Sequence, residues 1–458
     1  MEQMRKKALS IMFKLIDKGF EAYMVGGCVR DMIMGIQPHD FDIATNAKPD
    51  EILALFGGKQ MGSIMKREGE QFGTVTVNVE GDNFEITTYR REQGYTDGRH
   101  PDRVEWSNSL IEDLKRRDFT INAIAMDIKG NIIDPFNGRQ DIKYKLIRTV
   151  TPYSFSEDAL RILRALRFSA KLGFRIEERT YTEMVKYAPN VNKVIAKERV
   201  QQELIKMFSC KEIAETLSAS KEVIGILFPF EAKCMGFQQR SKYHHLDVWE
   251  HIVEALRWYK TVDTKMDYRG ALAVFLHDIG KTVCYQVGED GYWHYLGHEK
   301  ASASITKEFL TEYRFKKEDI RDITTLVLNH DFVCKPTRVE VRKLMRSKNK
   351  DIMDLLLCVR YADIMAHRPT ERRQEQVNRW TECIKLVTQI RRDGDCLSLS
   401  QLAINGDTLK LWGFKGKEIG EILNYTLDAV ITERVKNDID SIYKWKYIQK
   451  KIRSRKVR

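Results

Sequence analysis

No stretch of this 458-residue chain approaches the roughly 18–20 consecutive apolar residues that a membrane span needs. That absence argues against a membrane protein. Nor do the first residues read as a secretory leader. Lys14, Asp17 and Lys18 interrupt the apolar positions, and the pattern is that of an amphipathic helix. The eight cysteines are scattered from 28 to 396 without a single C-x-x-C pair. A disulfide framework or a cysteine-rich zinc site needs closer, paired spacing, so these thiols point to a reducing cytoplasm. Internal repeats and low-complexity tracts are missing as well. What is present is 43% hydrophobic and 31% charged residues, enough for packed cores in roughly three domains of ordinary size. Lys and Arg number 77 against 65 Asp and Glu, a net charge of +12 that is compatible with a polyanionic partner.

Four segments follow from the patterning. Residues 1–150 read as a mixed α/β head, with strand-like runs at 23–25, 41–43, 73–77 and 84–88 and a charged, glycine-bearing loop at 89–103. From about 151 onward β-branched alternation nearly vanishes, and apolar residues recur at helical spacing. Residues 151–215 then form a helical neck. Eight of the ten histidines fall between 244 and 367, which marks 216–385 as a separate helical body. The tail, 386–458, ends in sixteen residues with eight Lys or Arg and three aromatics, a pattern suited to an RNA backbone. The fold class expected is α+β.

Two features of the head carry chemistry. Gly26-Gly27 ends an apolar run and precedes Arg30, so bare backbone N–H groups and a planar guanidinium are offered to phosphate at a helix start. Asp40-Phe41-Asp42 follows, and in a strand its carboxylates share one face while Phe41 packs behind. Two hard oxygen donors in that arrangement suit Mg²⁺ bridged to phosphates, and a pair of such ions serves phosphoryl and nucleotidyl transfer.

The motifs VGGCVRDMIMG, HDFDIATNAKP, LKRRDFTINAIAMD, DPFNGRQDI and EDALRILRALRFSAKLGF occur in this order through most of residues 22–175. In them the chain resembles the polymerase-β superfamily, and closely the bacterial-type (class II) tRNA nucleotidyltransferase and poly(A) polymerase family. The resemblance implies a polymerase-β-like nucleotidyltransferase head, with Asp40 and Asp42 holding two catalytic Mg²⁺ ions. It also implies that Gly27 and Arg30 contact the incoming triphosphate and that Arg117 faces its sugar or phosphates. Glu85 is open between a third carboxylate and a solvent-facing strand residue. Residues 157–167 read as one helix with Asp158 and Arg161 as surface neighbours. Cytosine and adenine both present an amino donor beside a ring-nitrogen acceptor, so an acceptor carboxylate and a donor guanidinium match them and reject uracil and guanine. The resemblance assigns Asp158 and Arg161 to that choice, and Arg164 and Arg167 to phosphate or helix anchoring.

The implied reaction is untemplated addition of CMP, CMP and AMP, from CTP and ATP, to a tRNA 3′ end, with release of pyrophosphate. Members that add only CC, only A or long A tails are the alternatives. The loop Arg91–Pro101 resembles that of full CCA-adding members, and GTVTVNVEG stands where poly(A) polymerases carry a Gly- and basic-rich signature.

In the body, His251, His277-Asp278 and Asp363 follow the H…HD…D order of the HD phosphohydrolase superfamily, which the chain resembles through LHDIGK. Nitrogen and oxygen donors of this kind suit a further divalent metal, with His298 as a fourth, weaker candidate. A metal-dependent phosphohydrolase whose head only binds nucleotide is the rival reading. The partners expected are tRNA, ATP and CTP, with no membrane and no obligate protein partner.

Overall fold

The computed structural model describes residues 2–57, 73–93, 103–348 and 350–456. The chain divides into two compact units, Met1–Lys233 with Glu312–Phe315, and Cys234–Thr311 with Lys316–Arg458. The fold class is α+β, with the sheet confined to the first unit apart from one short ribbon.

The first unit opens with α1 (Glu2–Asp17), whose Ala8, Ile11, Met12 and Leu15 make a buried stripe at helical spacing. Next come β1 (Ala22–Val25), α2 (Gly27–Ile33), β2 (Asp42–Thr45) and α3 (Pro49–Phe56). β3 (Thr74–Val79) and β4 (Asp82–Thr88) form a hairpin whose alternate residues are buried, the signature of a sheet with one covered face. β5 (Arg90–Gln93), β6 (Arg103–Trp106), α4 (Leu110–Lys115), β7 (Ala125–Met126) and β8 (Ile132–Ile133) follow. The main sheet runs β3-β4-β2-β1-β7-β8 and is mixed, β2 and β4 being its parallel neighbours. α5 (Gly138–Tyr144), β9 (Leu146–Ile147) and α6 (Ser154–Glu157) lead to α7 (Leu160–Leu172). α7 buries Ile162, Leu163, Ala165 and Leu166 and stops at Gly173, which has φ 66°. β10 (Arg175–Ile176), parallel to β9, α8 (Glu178–Val194) and α9 (Lys197–Phe208) complete the part that shapes the site.

Three local expectations need correction. β2 begins at Asp42, so Asp40 lies just ahead of the strand rather than in it. The segment read as a loop at 89–103 has paired strand arms, β5 and β6, and residues 94–101 of the family-like loop lie outside the described residues. Residues 157–167 are not one helix. Asp158 has extended backbone (φ −139°, ψ 103°) between α6 and α7, because its carboxylate turns to accept the Leu160 N–H at 2.9 Å.

The second unit is helical apart from a ribbon pairing Gln286–Val287 with Trp293–His294. Its helices Val248–Val262, Tyr268–Leu276, Lys317–Leu328 and Lys350–Ala366 share a core that includes Ile252, Leu256, Leu272, Phe275, Leu326 and Leu356. The basic C-terminal helices, Ile439–Lys444 and Lys446–Lys456, anchor Ile442 and Ile448 in a small core with Ile404, Leu409, Phe414 and Ile422. Among the described residues, no helix is long and apolar enough to cross a membrane.

Candidate functional site

Sheet register assembles the acidic wall of the first centre. Asp42 lies opposite Val25 on β1, next to the glycine turn, and opposite Glu85 on β4. Asp40 is exposed while Phe41 is buried behind the pair. Burial, then Asp40, push the Asp42 carboxyl up to about 6; Arg117 opposes this and Glu85 adds to it. Anions crowded in this way, with hard oxygen donors, fit a divalent cation. Gly26 sits at φ 77°, and a Cβ there would come within 2.9 Å of Arg117 Nη1. Glycine at this turn is therefore what lets Arg117 lie against the backbone. Arg117 pairs with Asp113 at 3.4 Å, and its Nε is buried with no hydrogen-bond partner among the described residues.

A cationic wall faces these carboxylates. Arg30 is buried and donates to Asp31 Oδ1 and, from Nη1, to Asn122 Oδ1 at 2.6 Å. Asn122 Nδ2 donates to Asp118 Oδ1 at 3.0 Å, and Arg164 Nε donates to Asp118 Oδ2 at 2.8 Å. Although burial opposes it, Arg164 and Asn122 hold Asp118 down at about 2. Arg167 pairs with Glu203, and the Phe168 ring lies under the guanidiniums of Arg30, Arg164 and Arg167 at 5.3, 5.6 and 4.3 Å.

Asp158 and Arg161 both face the same space without pairing as helix neighbours. Arg161 pairs with Glu157 at 3.0 Å and donates to Ser154 Oγ and the Arg116 carbonyl, whereas Asp158 lies 3.6 Å from Arg199 on α9. Gly27, Arg30, Asp40, Asp42, Arg117, Asp158, Arg161, Arg164 and Arg167 all line one cavity of about 580 Å³. The site residues expected in the head and the neck are thus brought together. Glu85, Asn122, Lys171 and Arg199 join them. Only Glu85 carried a local signal, as an acidic residue on a strand; the others depend on the tertiary fold.

The second centre lies in the body. His251 Nε2 is 3.2 Å from His277 Nε2, from Asp278 Oδ2 and from Asp363 Oδ1, and all four residues are buried. Their ligand atoms gather within 4.8 Å, so the donors are suited to a divalent ion. His277 Nδ1–H donates to the Val274 carbonyl at 2.6 Å, and Arg360 holds the far oxygen of Asp363 at 2.7 Å. Both contacts aim ligand atoms at the centre. His298 lies outside this foursome and faces the other oxygen of Asp278.

Residues 22–148 match the family model described as the poly A polymerase head domain, residues 173–219 a probable RNA- and SrmB-binding site of polymerase A, and residues 244–367 the HD domain. The CCA-adding enzyme of Oceanobacillus iheyensis is 46% identical over 213 residues, 46% of this chain and 52% of that protein. The match therefore spans about half the length of that relative. The CCA-adding enzyme of Geobacillus kaustophilus is 32% identical over 448 residues, 96% of both chains. Among solved structures, the Bacillus stearothermophilus CCA-adding enzyme in complex with CTP superposes with a TM-score of 0.66 at 25% identity, covering 99% of this chain and 98% of that one. With identity at this level sustained over nearly its whole length, the chain belongs to the CCA-adding enzyme family.

Proposed function

We propose that this chain adds CMP, CMP and AMP, from CTP and ATP, to the 3′ end of tRNA without a template, releasing pyrophosphate. The observation that carries this reading is the single cavity lined by the carboxylates of Asp40, Asp42 and Glu85 and by a group of guanidiniums, with Asp158 and Arg161 on the same lining. Asp40 and Asp42, with Glu85 beside them, would hold divalent ions, taken to be Mg²⁺. When bound, such ions favour ionisation of an attacking hydroxyl and neutralise a departing pyrophosphate. Arg30 and Arg117 would grip the triphosphate, and the Asp118–Asn122 link ties Arg30 to Arg164. Asp158 offers an oxygen to an amino group. Arg161 spends N–H groups on Ser154, Glu157 and Arg116 but has five in all, which leaves donors for a ring nitrogen. The basic tail supplies charge for the tRNA backbone. We retain the four-part organisation of head, neck, body and tail, in a cytoplasmic protein.

The buried His and Asp cluster favours a second, separate activity, metal-dependent phosphoester hydrolysis in the HD body. One comparison tests both readings. The wild type should extend tRNA primers by CCA with CTP plus ATP, and a His277→Ala/Asp278→Ala double variant should do the same while losing any phosphohydrolase activity. Products ending at CC, at a lone A or in long A tails would replace CCA addition by a sister activity of the family. Failure of the correctly folded double variant to extend would make the body part of the transferase.

The acidity of Asp42 sets a pH dependence. Its carboxylate must be ionised to hold a cation, so kcat/KM for addition should fall about tenfold per pH unit below about 6 and level off above it. Raising the Mg²⁺ concentration should move the break to lower pH, because cation and proton compete for the same oxygens. A break that ignores Mg²⁺ would assign the titration to another group.

A further inference from the structure

We propose that Arg199 is a positioning residue for base choice, which holds Asp158 apart from Arg161 so that each keeps a hydrogen-bonding group for the incoming base. The inference rests on the reading of Asp158 and Arg161 as the pair that chooses C and A.

A carboxylate and a guanidinium three residues apart at a helix start are within reach of each other and ordinarily pair. Paired in that way, acceptor and donor would be spent on one another, and neither could read a base. The structure draws each to a different partner. Arg161 pairs with Glu157 at 3.0 Å and donates to Ser154 Oγ and the Arg116 carbonyl at 3.0 and 2.9 Å. Asp158 Oδ1 accepts the Leu160 N–H at 2.9 Å, and Oδ2 lies 3.6 Å from Arg199 Nη2. At 3.6 Å a guanidinium attracts a carboxylate but is too distant for a hydrogen bond. Oδ2 is therefore balanced in charge with its lone pairs open, the state that an acceptor for an exocyclic amino group needs.

The packing of α9 against α7 fixes where Arg199 stands. Glu203, one turn further along the same face of α9, is buried and pairs with Arg167 of α7 at 2.6 Å. α9 thus offers a cation to the carboxylate ahead of α7 and a carboxylate to a cation within it. Two pairs of opposite polarity hold the segments in one register. The side chains of Arg199 and Asp158 are 27% and 15% exposed, and both line the cavity, so the pair stands at its wall and not in the core. Without the Arg199 charge, the guanidinium on offer to Asp158 is that of Arg161, and the reading pair closes on itself.

The test reads the amino group directly. 2-Pyrimidinone ribonucleoside triphosphate is CTP without its amino group, and purine ribonucleoside triphosphate is ATP without its own. Both keep the ring-nitrogen acceptor. The full chain is assayed for addition of each to tRNA primers, and kcat/KM is compared with that for CTP and ATP. The wild type should favour the natural nucleotides by about ten- to a hundredfold, the range of one good base contact. Asp158→Ala should bring this ratio close to one, and Arg199→Ala and Arg199→Gln should bring it most of the way. Arg199→Lys, which keeps the charge, should recover most of the preference. In an Arg161→Ala background, Arg199→Gln should no longer lower the ratio, because the competing guanidinium is gone. Thermal unfolding checks each variant, and glutamine and lysine, which keep most of the side chain's volume, carry the test if alanine does not fold. An Arg199→Gln enzyme that is slower with every nucleotide but keeps the wild-type ratio would overturn the proposal and spare the reading of Asp158. A lysine no better than glutamine, or a full loss in the Arg161→Ala background, would also overturn the positioning role. An unchanged ratio in Asp158→Ala would overturn the reading itself, and the proposal with it.

Discussion

Replacing Asp42 by alanine should lower the rate of nucleotide addition by about a thousandfold or more, equivalent to about 4 kcal/mol of lost transition-state stabilisation. The residue is the first of β2, held between the glycine turn and Glu85 by strand register, so nothing else in the wall occupies its place. Fold and tRNA affinity should survive. In the metal-free protein Asp42 is half-buried beside Asp40 and Glu85, and its carboxyl is pushed up to about 6, which means that the native state binds its proton more tightly than the unfolded chain does. For an acid shifted in this direction, the penalty is fully present above the folded value and disappears as pH falls through about 6 towards the unfolded value of 3.8. Asp42→Ala and Asp42→Asn should therefore be at least as heat-stable as the wild type at pH 8 in chelator, with the difference closing near pH 4. Single-turnover extension and thermal unfolding of the same preparations check both halves. Substantial addition by either variant would remove Asp42 from the metal site. A large loss of stability would instead mean that Asp42 serves the fold.

How far such a site can be read beforehand depends on which distances are local. Asp40 and Asp42 are two residues apart, so their convergence was legible in the sequence even though the strand starts only at Asp42. The glycine pair and Arg30 were legible for the same reason. Glu85 was legible only as an acidic residue on a strand, open between two roles; its place opposite Asp42 was not, because a strand residue's neighbour is set by register, and β4 pairs in parallel with a strand about forty residues upstream. The break at Asp158 escaped helical periodicity because one side-chain bond to the Leu160 N–H outweighs the propensity of a single residue. Arg199 and Asn122 reach the cavity only through the packing of α9 against α7 and the link from Asn122 to Arg30. In the body, the order of His251, His277, Asp278 and Asp363 was legible as a pattern.

Base choice gives the other large effect. Arg161→Ala should let UMP or GMP incorporation become detectable, with discrimination reduced about ten- to a hundredfold, the worth of one good bidentate contact of roughly 1–3 kcal/mol. Because Arg161 is tied to Glu157, Ser154 and the Arg116 carbonyl, it is pre-positioned rather than free to follow the incoming base. Glu157→Gln should then loosen the guanidinium and weaken discrimination less than its removal does. Asp158 is held separately, by the Leu160 N–H on one oxygen and near Arg199 on the other, so it remains an acceptor when Arg161 is gone. Arg161→Ala should consequently keep metal-dependent addition at a reduced rate while losing the ability to demand a ring-nitrogen acceptor. Arg161→Lys restores the charge but not the planar fork, and should recover rate more than selectivity. The measurement is single-turnover incorporation of each of the four nucleotides on tRNA primers ending before each of the added positions. If Arg161→Ala slows all four nucleotides equally and keeps the preference for C and A, the guanidinium braces α6 against α7 and does not read the base. Selectivity would then have to come from Asp158 together with Arg199, the pair that the structure places 3.6 Å apart on the same cavity wall.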